Sequence, residues 1–484
     1  MKRIAIIGGG IAGVTAAWQL ARLAAAGAPV EAVLFESSSR LGGIVETVRQ
    51  DGFTIECGPD GWVTEKPWAS ELAEELGLGD QLVPSNDATR KTYVVSEANG
   101  SPELIAMPDR MRMMVPSDLD ALDGSPLFSA SAKAAYRAEI TRADELKRMA
   151  PDHDESVASF VLRHFGQEVL DKVGAPLLGG VFGGDVATLS VRAVMAPFVE
   201  MERKHGSLIL ALQSRTGSVS TTRPAIFTTL RDGLGTLIDT MVAAIPPSWI
   251  RLNCPVHSIA KQDRGWRITT PAGEEDFTAL LLATPSYVSA DLLRPTDSTA
   301  AALMQLETSS AVLAGFAFKS TFVLPAGFGF LVPADNARTS GSSLLAGTFV
   351  DQKFDHRVPS GGRLLRGFFG GATADALLTS TDAEIAALTL AELEKVIGIT
   401  LPTPDVTIVR RWPRALPQYD VGHLERMAEL STRVQSLGSL WLLGNGYRGV
   451  GLPDLIRDAR AAARESALKS NEYAVADGHH TQTC

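Results

Sequence analysis

The residues "IAII" at 4–7 form a short unbroken apolar run, the pattern of a strand buried on both faces. Glycines follow at once. From about 11 to 26 the apolar positions recur at three- and four-residue steps, which predicts a helix. "VEAVLFE" predicts the next strand, ending on Glu36. Further on, "RKTYVVSEANGSPELIAMP" reads as a hairpin turning at Asn99 and Gly100. From about 116 to 211 the periodicity becomes helical. "AKAAYRAEITRADELKRM" and "SVASFVLRHFGQEVLDKVGAPLL" both carry it, and Ser156 is a suitable N-cap for the second.

Near 226 the pattern returns to a glycine turn and helix, "RDGLGTLIDTMVAAI", followed by alternating strands in "IRLNCPVHSIAKQDRGWRITT" and "EEDFTALLLATP". Residues 311–369 are rich in strand patterns and "DAEIAALTLAELEKVIG" is a helix. "SLWLLGNGYRGVGLPDLIRDARAAARESAL" closes the chain as strand, glycine loop and helix. The implied fold class is α/β: a Rossmann-like domain, an inserted mixed-sheet domain and a helical subdomain, α+β in character. Its expected segments are 1–85, 226–290 and 435–470 for the Rossmann-like domain, and 86–115 with 291–434 for the mixed-sheet domain. Residues 116–225 form the helical part, and 471–484 a disordered tail.

Composition narrows the classes. The chain has 484 residues, 45% hydrophobic and 21% charged, with a formal net charge of -10. That suits a core of two or three domains and argues against a nucleic-acid binder, which needs a basic excess. Cys57, Cys254 and Cys484 are scattered, so neither a disulfide framework nor a zinc site is expected, and a reducing, cytoplasmic setting fits. No metal site is expected; His479 and His480 belong to the tail. No cleavable signal and no membrane-spanning run is read from the pattern.

Chemistry enters at the two glycine clusters. Gly8, Gly9, Gly10, Ile11, Ala12 and Gly13 match GxGxxG between a strand and a helix. The glycines permit a tight turn and close approach of a pyrophosphate, while the helix N-terminus offers N–H groups and a positive dipole end. Glu36, followed by Ser37, stands where a carboxylate accepts bonds from ribose hydroxyls. A turn built for packing alone would not require the strand, helix and acid to agree.

"SSSRLGG" resembles the extension of glutathione-reductase-like FAD enzymes, in which Arg40, Gly42 and Gly43 would run along the diphosphate. "ECGPDGW", with Gly58, Pro59, Asp60 and Gly61, resembles the stretch that passes the isoalloxazine in flavin amine oxidases. FAD is the cofactor this implies, with Val256 of "CPVHSI" against the adenine. In the same enzymes a C-terminal glycine loop brings a helix N-terminus to the flavin's pyrimidine edge, which places Val450, Gly451 and Leu452 there.

Long blocks make the resemblance more specific. "APLLGGVFGGDVATLSVRA", "GFGFLVPADNARTSGSSLLAGTFVDQKFDHRVPSGGRLLRGFFGG" and "RRWPRALPQYDVGHLERM" are similar to successive blocks of the oxygen-dependent porphyrinogen oxidases of haem synthesis. The likeness covers nearly the whole chain except the tail and is looser over 116–150. It implies a porphyrinogen substrate, coproporphyrinogen III or protoporphyrinogen IX, oxidised by six electrons in three two-electron steps with oxygen as acceptor. By the same likeness Arg90 holds a propionate, Leu331, Phe349 and Phe368 sandwich the pyrroles, the Gly180 carbonyl faces the ring nitrogens, and Trp412 lies near the flavin. Relatives carry Leu where this chain has Phe349. Lys66 either helps a second propionate or faces water. Arg110 and Arg112 stand at a substrate or membrane rim, or on a solvated face. His164 and His423 read as structural.

As partners the resemblance adds a ferrochelatase, a second copy of the chain and a peripheral contact with the inner face of the membrane. Two other readings share parts of the pattern. Amine oxidases and carotenoid desaturases share both glycine ends but not "GFGFLVP" followed by "RRWPRALPQY". A lipid-binding chaperone on this fold would be expected to lose the phosphate glycines, and they are intact.

Overall fold

The computed structural model describes residues 1–98, 101–215, 225–334 and 342–468. The expected turn at 99–100 and the tail at 471–484 lie outside the described residues. The chain divides into two compact units. The first takes residues 1–43, 237–304 and the chain from 430 onward; the second takes 44–236 and 305–429.

The first unit is built on a five-stranded parallel sheet. Its strands lie in the order Ile250–Arg251, Val30–Phe35, Lys2–Ile7, Ala279–Leu282 and Leu440–Leu442. Ile4, Ala5 and Ile6 of the central strand have no solvent exposure, as a strand covered on both faces requires. The chain order reverses at this strand, whose two neighbours come from different parts of the sequence. Such a switch point opens a crevice at the carboxyl ends of the strands, where ligands of open α/β sheets bind. Helix Ile11–Ala25 leaves from that end. It packs against helix Leu452–Leu468, where Arg460 Nε donates to Gln19 Oε1 at 3.1 Å. An antiparallel meander, Ser258–Gln262, Gly265–Thr270 and Gly273–Phe277, completes the unit.

The second unit centres on a seven-stranded mixed sheet. Its order is Val406–Pro417, Thr308–Phe318, Arg363–Gly370, Ala346–Phe349, Gly329–Leu331, Thr92–Ala98 and Ser101–Ala106. One face packs beneath helix Asp382–Ile397 through Val312, Phe316, Phe330, Phe349, Leu365, Phe369, Ile385 and Leu393. Thr381 caps that helix with a reciprocal Glu384 bond.

Part of the opposite face is covered by the hairpin Thr47–Gln50 and Phe53–Glu56, whose Phe53 and Ile55 meet Ala317, Leu364, Val406 and Ile408. This packing assigns 44–85 to the second unit, where the sequence pattern carried the dinucleotide segment to 85. Likewise strand Phe227–Leu230 pairs with Trp62–Val63 and Leu82–Pro84, so 226–236 belongs here too.

The helical stretch belongs to this second unit rather than forming one of its own. Ser156 caps helix Val157–Phe165 by accepting the Ser159 N–H at 3.1 Å. His164 of that helix is buried between Glu139, 3.2 Å from Nδ1, and Glu202, 3.0 Å from Nε2. His423 lies flat on Tyr419 at 3.9 Å. Both histidines are buried among these neighbours. Among the described residues no helix is long and apolar enough to cross a membrane, and no cluster could hold a metal ion.

Candidate functional site

In the first unit the glycine turn has the geometry that its spacing predicts. Gly8 has φ +106°, and a Cβ there would sit 2.6 Å from the Ala283 carbonyl oxygen. A Cβ on Gly13 would lie 1.9 Å from the Gly8 oxygen, so only glycine lets the helix seat against the strand. A Cβ on Gly10, by contrast, would meet no described atom within 4 Å. Ile11 and Ala12 begin the helix there, with backbone N–H groups that have no intrahelical acceptor.

Glu36 accepts the Gly9 N–H at 2.7 Å and the Ser38 N–H at 2.8 Å, which fixes the acid at the mouth of the turn. Ser37 is exposed beside it. The Gly42 N–H donates to the Gly9 carbonyl at 2.8 Å, and Arg40 folds onto the carbonyls of Leu41 and Gly43. Asn253 and Cys254 donate backbone N–H groups to the carbonyls of Ser38 and Glu36, each at 2.9 Å, so half-buried Val256 follows a segment tied to Glu36. The structure thus brings together Gly8 to Gly13, Glu36, Ser37, Arg40, Gly42, Gly43 and the approach to Val256.

The C-terminal loop of the same unit leaves the last sheet strand at Leu443, whose N–H donates to the Leu282 carbonyl. Val450 and Gly451 are half-buried and lead into the helix beginning at Leu452. Asp454 had no role in the sequence reading. It is buried in the first turn, where a Cβ on Gly449 would lie 2.8 Å from its carboxylate. Its position as an acid in the first turn was visible in the sequence; its contact with the glycine loop was not.

In the second unit strand register sorts the predicted substrate residues. Leu331 pairs with Ala346 and Ala346 with Phe368, so these three share one face. Thr348 and Arg366 lie on that face one pair further along, and the Leu313–Phe368 and Leu313–Arg410 pairings carry it to Arg410 and Trp412. Phe349 falls on the other face. It is wholly buried, 6.1 Å from Phe330, inside the core beneath helix Asp382–Ile397. A side-chain period of two excludes it from a wall shared with Leu331 and Phe368, and Thr348 occupies the matching place. A Cβ on Gly180, in helix Ala175–Phe182, would come 3.8 Å from Leu331 Cδ2.

The segment 46–61 is tied to this sheet face by side chains. Trp412 Nε1 donates to the Cys57 carbonyl at 2.8 Å, and Arg410 Nε to Glu46 at 2.9 Å. Arg366 donates to the carbonyls of Glu56 and Gly58 at 3.0 and 2.9 Å and to Asp60 at 2.8 Å. Lys353 Nζ meets the other Asp60 oxygen at 2.9 Å. Burial pushes the Asp60 carboxyl up, but Lys353 and Arg366 outweigh it and hold Asp60 well below the usual carboxylate range. The Cys57 thiol is pushed up to about 11, chiefly by burial, so it is not a thiolate at neutral pH. Cβ atoms on Gly58 and Gly61 would collide with the carbonyls of Ile44 and Thr228, at 2.1 and 2.7 Å, and Pro59 lies between them.

Arg90 is half-buried and pairs with Asp87 at 2.7 Å. Lys66 is half-buried. Arg112 pairs with Glu65 at 3.2 Å, and Arg110 lies 3.6 Å from Asp118. Neither Arg366, inside a strand, nor Lys353, at the end of the short helix Val350–Lys353, shows its partner in the sequence, because Asp60 lies about 300 residues away in each case.

Residues 11–465 match the profile of the family described as flavin containing amine oxidoreductase. The chain belongs to that family. Its cofactor is accordingly FAD, and the enzyme is an oxidoreductase. Coproporphyrinogen III oxidase of Bacillus subtilis (strain 168) is 30% identical to it, over 96% of this chain and 98% of the relative. The corresponding enzyme of Propionibacterium freudenreichii subsp. freudenreichii is 32% identical over 96% and 90%. The chloroplastic protoporphyrinogen oxidase of Nicotiana tabacum is 29% identical over 97% and 86%. A crystal structure from Exiguobacterium sp. 255-15, provisionally assigned as a protoporphyrinogen oxidase, superposes with a TM-score of 0.83 at 31% identity, covering 96% of this chain and 99% of that one.

The residues present fit the cofactor. The open side of Gly10 and the free N–H groups at the start of helix Ile11–Ala25 suit a diphosphate, and Glu36 keeps acceptor capacity for a ribose hydroxyl. FAD supplies the two-electron acceptor that amino-acid side chains lack.

Proposed function

We propose that this enzyme oxidises a porphyrinogen to its porphyrin at the expense of oxygen, with coproporphyrinogen III as substrate. The likeness to the two coproporphyrinogen III oxidases at 30 and 32% identity over nearly the full chain carries this reading.

The chemistry of the second unit agrees with it. A porphyrinogen is a broad apolar macrocycle with carboxylate arms, and it needs an apolar wall edged by cations. Leu331, Ala346 and Phe368 form an apolar strip on one sheet face, and Gly180 offers backbone beside Leu331. Arg90 and Lys66 are the cations assigned to propionates. In Arg90 the substrate carboxylate competes with Asp87 for the guanidinium, which is a charge-assisted bond on either side. Phe349 supports the wall from the core face rather than touching the ring.

Side-by-side kinetics with the two porphyrinogens test the reading. A kcat/KM at least tenfold higher for coproporphyrinogen III is expected. The reverse ratio assigns protoporphyrinogen IX, and no oxidation of either by the FAD-loaded protein rejects the function. The same reading carries a peripheral membrane contact, for which exposed Leu162, Val181 and Leu210 of the helical stretch are the apolar candidates. A ferrochelatase and a second copy of the chain are its remaining partners; flotation with liposomes and co-sedimentation test these three.

A further inference from the structure

Arg366 has a distribution of contacts that packing alone does not require. It lies inside a strand of the seven-stranded sheet and is 3% exposed. A guanidinium in that position is costly to bury unless its donors are satisfied. Its satisfaction is concentrated on one short stretch of chain. Nη1 donates to the carbonyls of Glu56 and Gly58, and Nη2 to the Asp60 carboxylate, so one planar fork grips three alternate residues of "ECGPDGW". Nε points to Thr348 Oγ1 at 3.5 Å, on the neighbouring strand and the same face.

The other contact is with Phe368. The guanidinium carbon sits 5.0 Å from the centroid of the Phe368 ring, two residues along the same strand. Phe368 is half-buried, on the face that carries Leu331 and Ala346. The face of an aromatic ring attracts such a cation, which favours this placement of the Phe368 ring over others.

We propose that Arg366 is a positioning residue for the oxidation, fixing the aromatic wall at Phe368 and the 56–60 segment in one mutual register. The proposal rests on the porphyrinogen reading for Phe368 and on the flavin resemblance for 56–60. Asp60 serves it as an anchor: Lys353 occupies its other oxygen at 2.9 Å, which leaves one oxygen for Arg366. A lysine at 366 could satisfy Asp60 as a point charge. It could not reach two carbonyls and a carboxylate with a planar fork, nor present a guanidinium to the Phe368 ring.

The experiment uses the full chain loaded with FAD. Arg366→Lys is compared with wild type in four readouts: thermal midpoint, FAD dissociation constant, visible circular dichroism of the bound flavin, and the kcat–KM split with a porphyrinogen. The expected result is a folded protein that still binds FAD. Its flavin dichroism is altered, kcat is at least tenfold lower, and the thermal midpoint falls by only a few degrees. Phe368→Leu, which removes the wall ring but none of the hydrogen bonds of Arg366, is expected to raise KM while leaving the flavin dichroism as in wild type.

If Arg366→Lys does not fold, the pair Asp60→Asn and Phe368→Leu carries the test. The first is then expected to change the flavin dichroism and the second only KM. Arg366→Lys with dichroism and kcat both within twofold of wild type overturns the proposal, as does a loss of kcat that is wholly accounted for by lost FAD. Failure of wild type to oxidise any porphyrinogen would instead reject the function, while the flavin readout still decides whether Arg366 positions the segment.

Discussion

Replacing Phe349 by Ala removes a ring with no solvent contact from the core beneath helix Asp382–Ile397. The expected cost is about 3–5 kcal/mol of stability, seen in urea unfolding, with KM for the porphyrinogen unchanged. A large KM effect at full stability would return Phe349 to the substrate wall. Arg90→Ala is expected to behave in the opposite sense. The fold is retained, because Asp87 still accepts the Ser85 hydroxyl at 2.6 Å, while KM rises by about tenfold to a hundredfold. Steady-state kinetics at fixed FAD saturation check it, and an unchanged KM removes Arg90 from the propionate site. Two neighbours in sequence, Thr348 and Phe349, therefore differ in role only because a strand turns alternate side chains to opposite faces.

At the scale of elements, the strand Lys2–Ile7, the turn and the helix Ile11–Ala25 act as one device. Gly13→Ala pushes a methyl group into the Gly8 carbonyl at 1.9 Å. Either the strand or the helix must shift, and the turn opens. Loss of FAD affinity by at least about tenfold is expected, read from flavin absorbance after gel filtration. Retained wild-type affinity would separate this turn from the cofactor.

This element was legible from the sequence because strand, glycines, helix and acid follow one another within one local stretch, and Glu36 does accept the Gly9 N–H. The helix at 382–397 and the cap at Ser156 were legible for the same reason. What the sequence did not carry is pairing between distant segments. Nothing local says that 53–57 packs on Ala317 and Val406, that Arg366 reaches Glu56 and Gly58, or that Phe349 sits out of phase with Leu331. Register is a property of two strands, and a boundary at 43 rather than 85 follows from the company that the 47–56 hairpin keeps.

At the scale of the whole molecule, buried charge makes stability depend on pH. His356 is held to about 4, from an ordinary 6.5, by burial first and by the neighbouring Arg357 second. A depressed folded value means that the neutral ring favours the native state fully above about 6.5. This contribution is lost as pH falls toward 4, where the folded protein resists a proton that the unfolded chain accepts. Urea midpoints should therefore drop between pH 7 and pH 4.5 by more in wild type than in His356→Gln, and equal drops would remove His356 as a cause. Asp60 acts with the same sign at lower pH, its contribution being lost as pH falls below the usual carboxylate range.

The central claim is that a flavin enzyme of this family removes electrons from a porphyrinogen in two-electron steps and passes them to oxygen. Simultaneous recording of oxygen uptake and porphyrin absorbance, with the FAD-loaded protein and coproporphyrinogen III, tests it most directly. The account predicts about three molecules of oxygen consumed for each porphyrin formed, with peroxide accumulating in step. Porphyrin appearing no faster than in protein-free buffer, with no oxygen uptake, would contradict it.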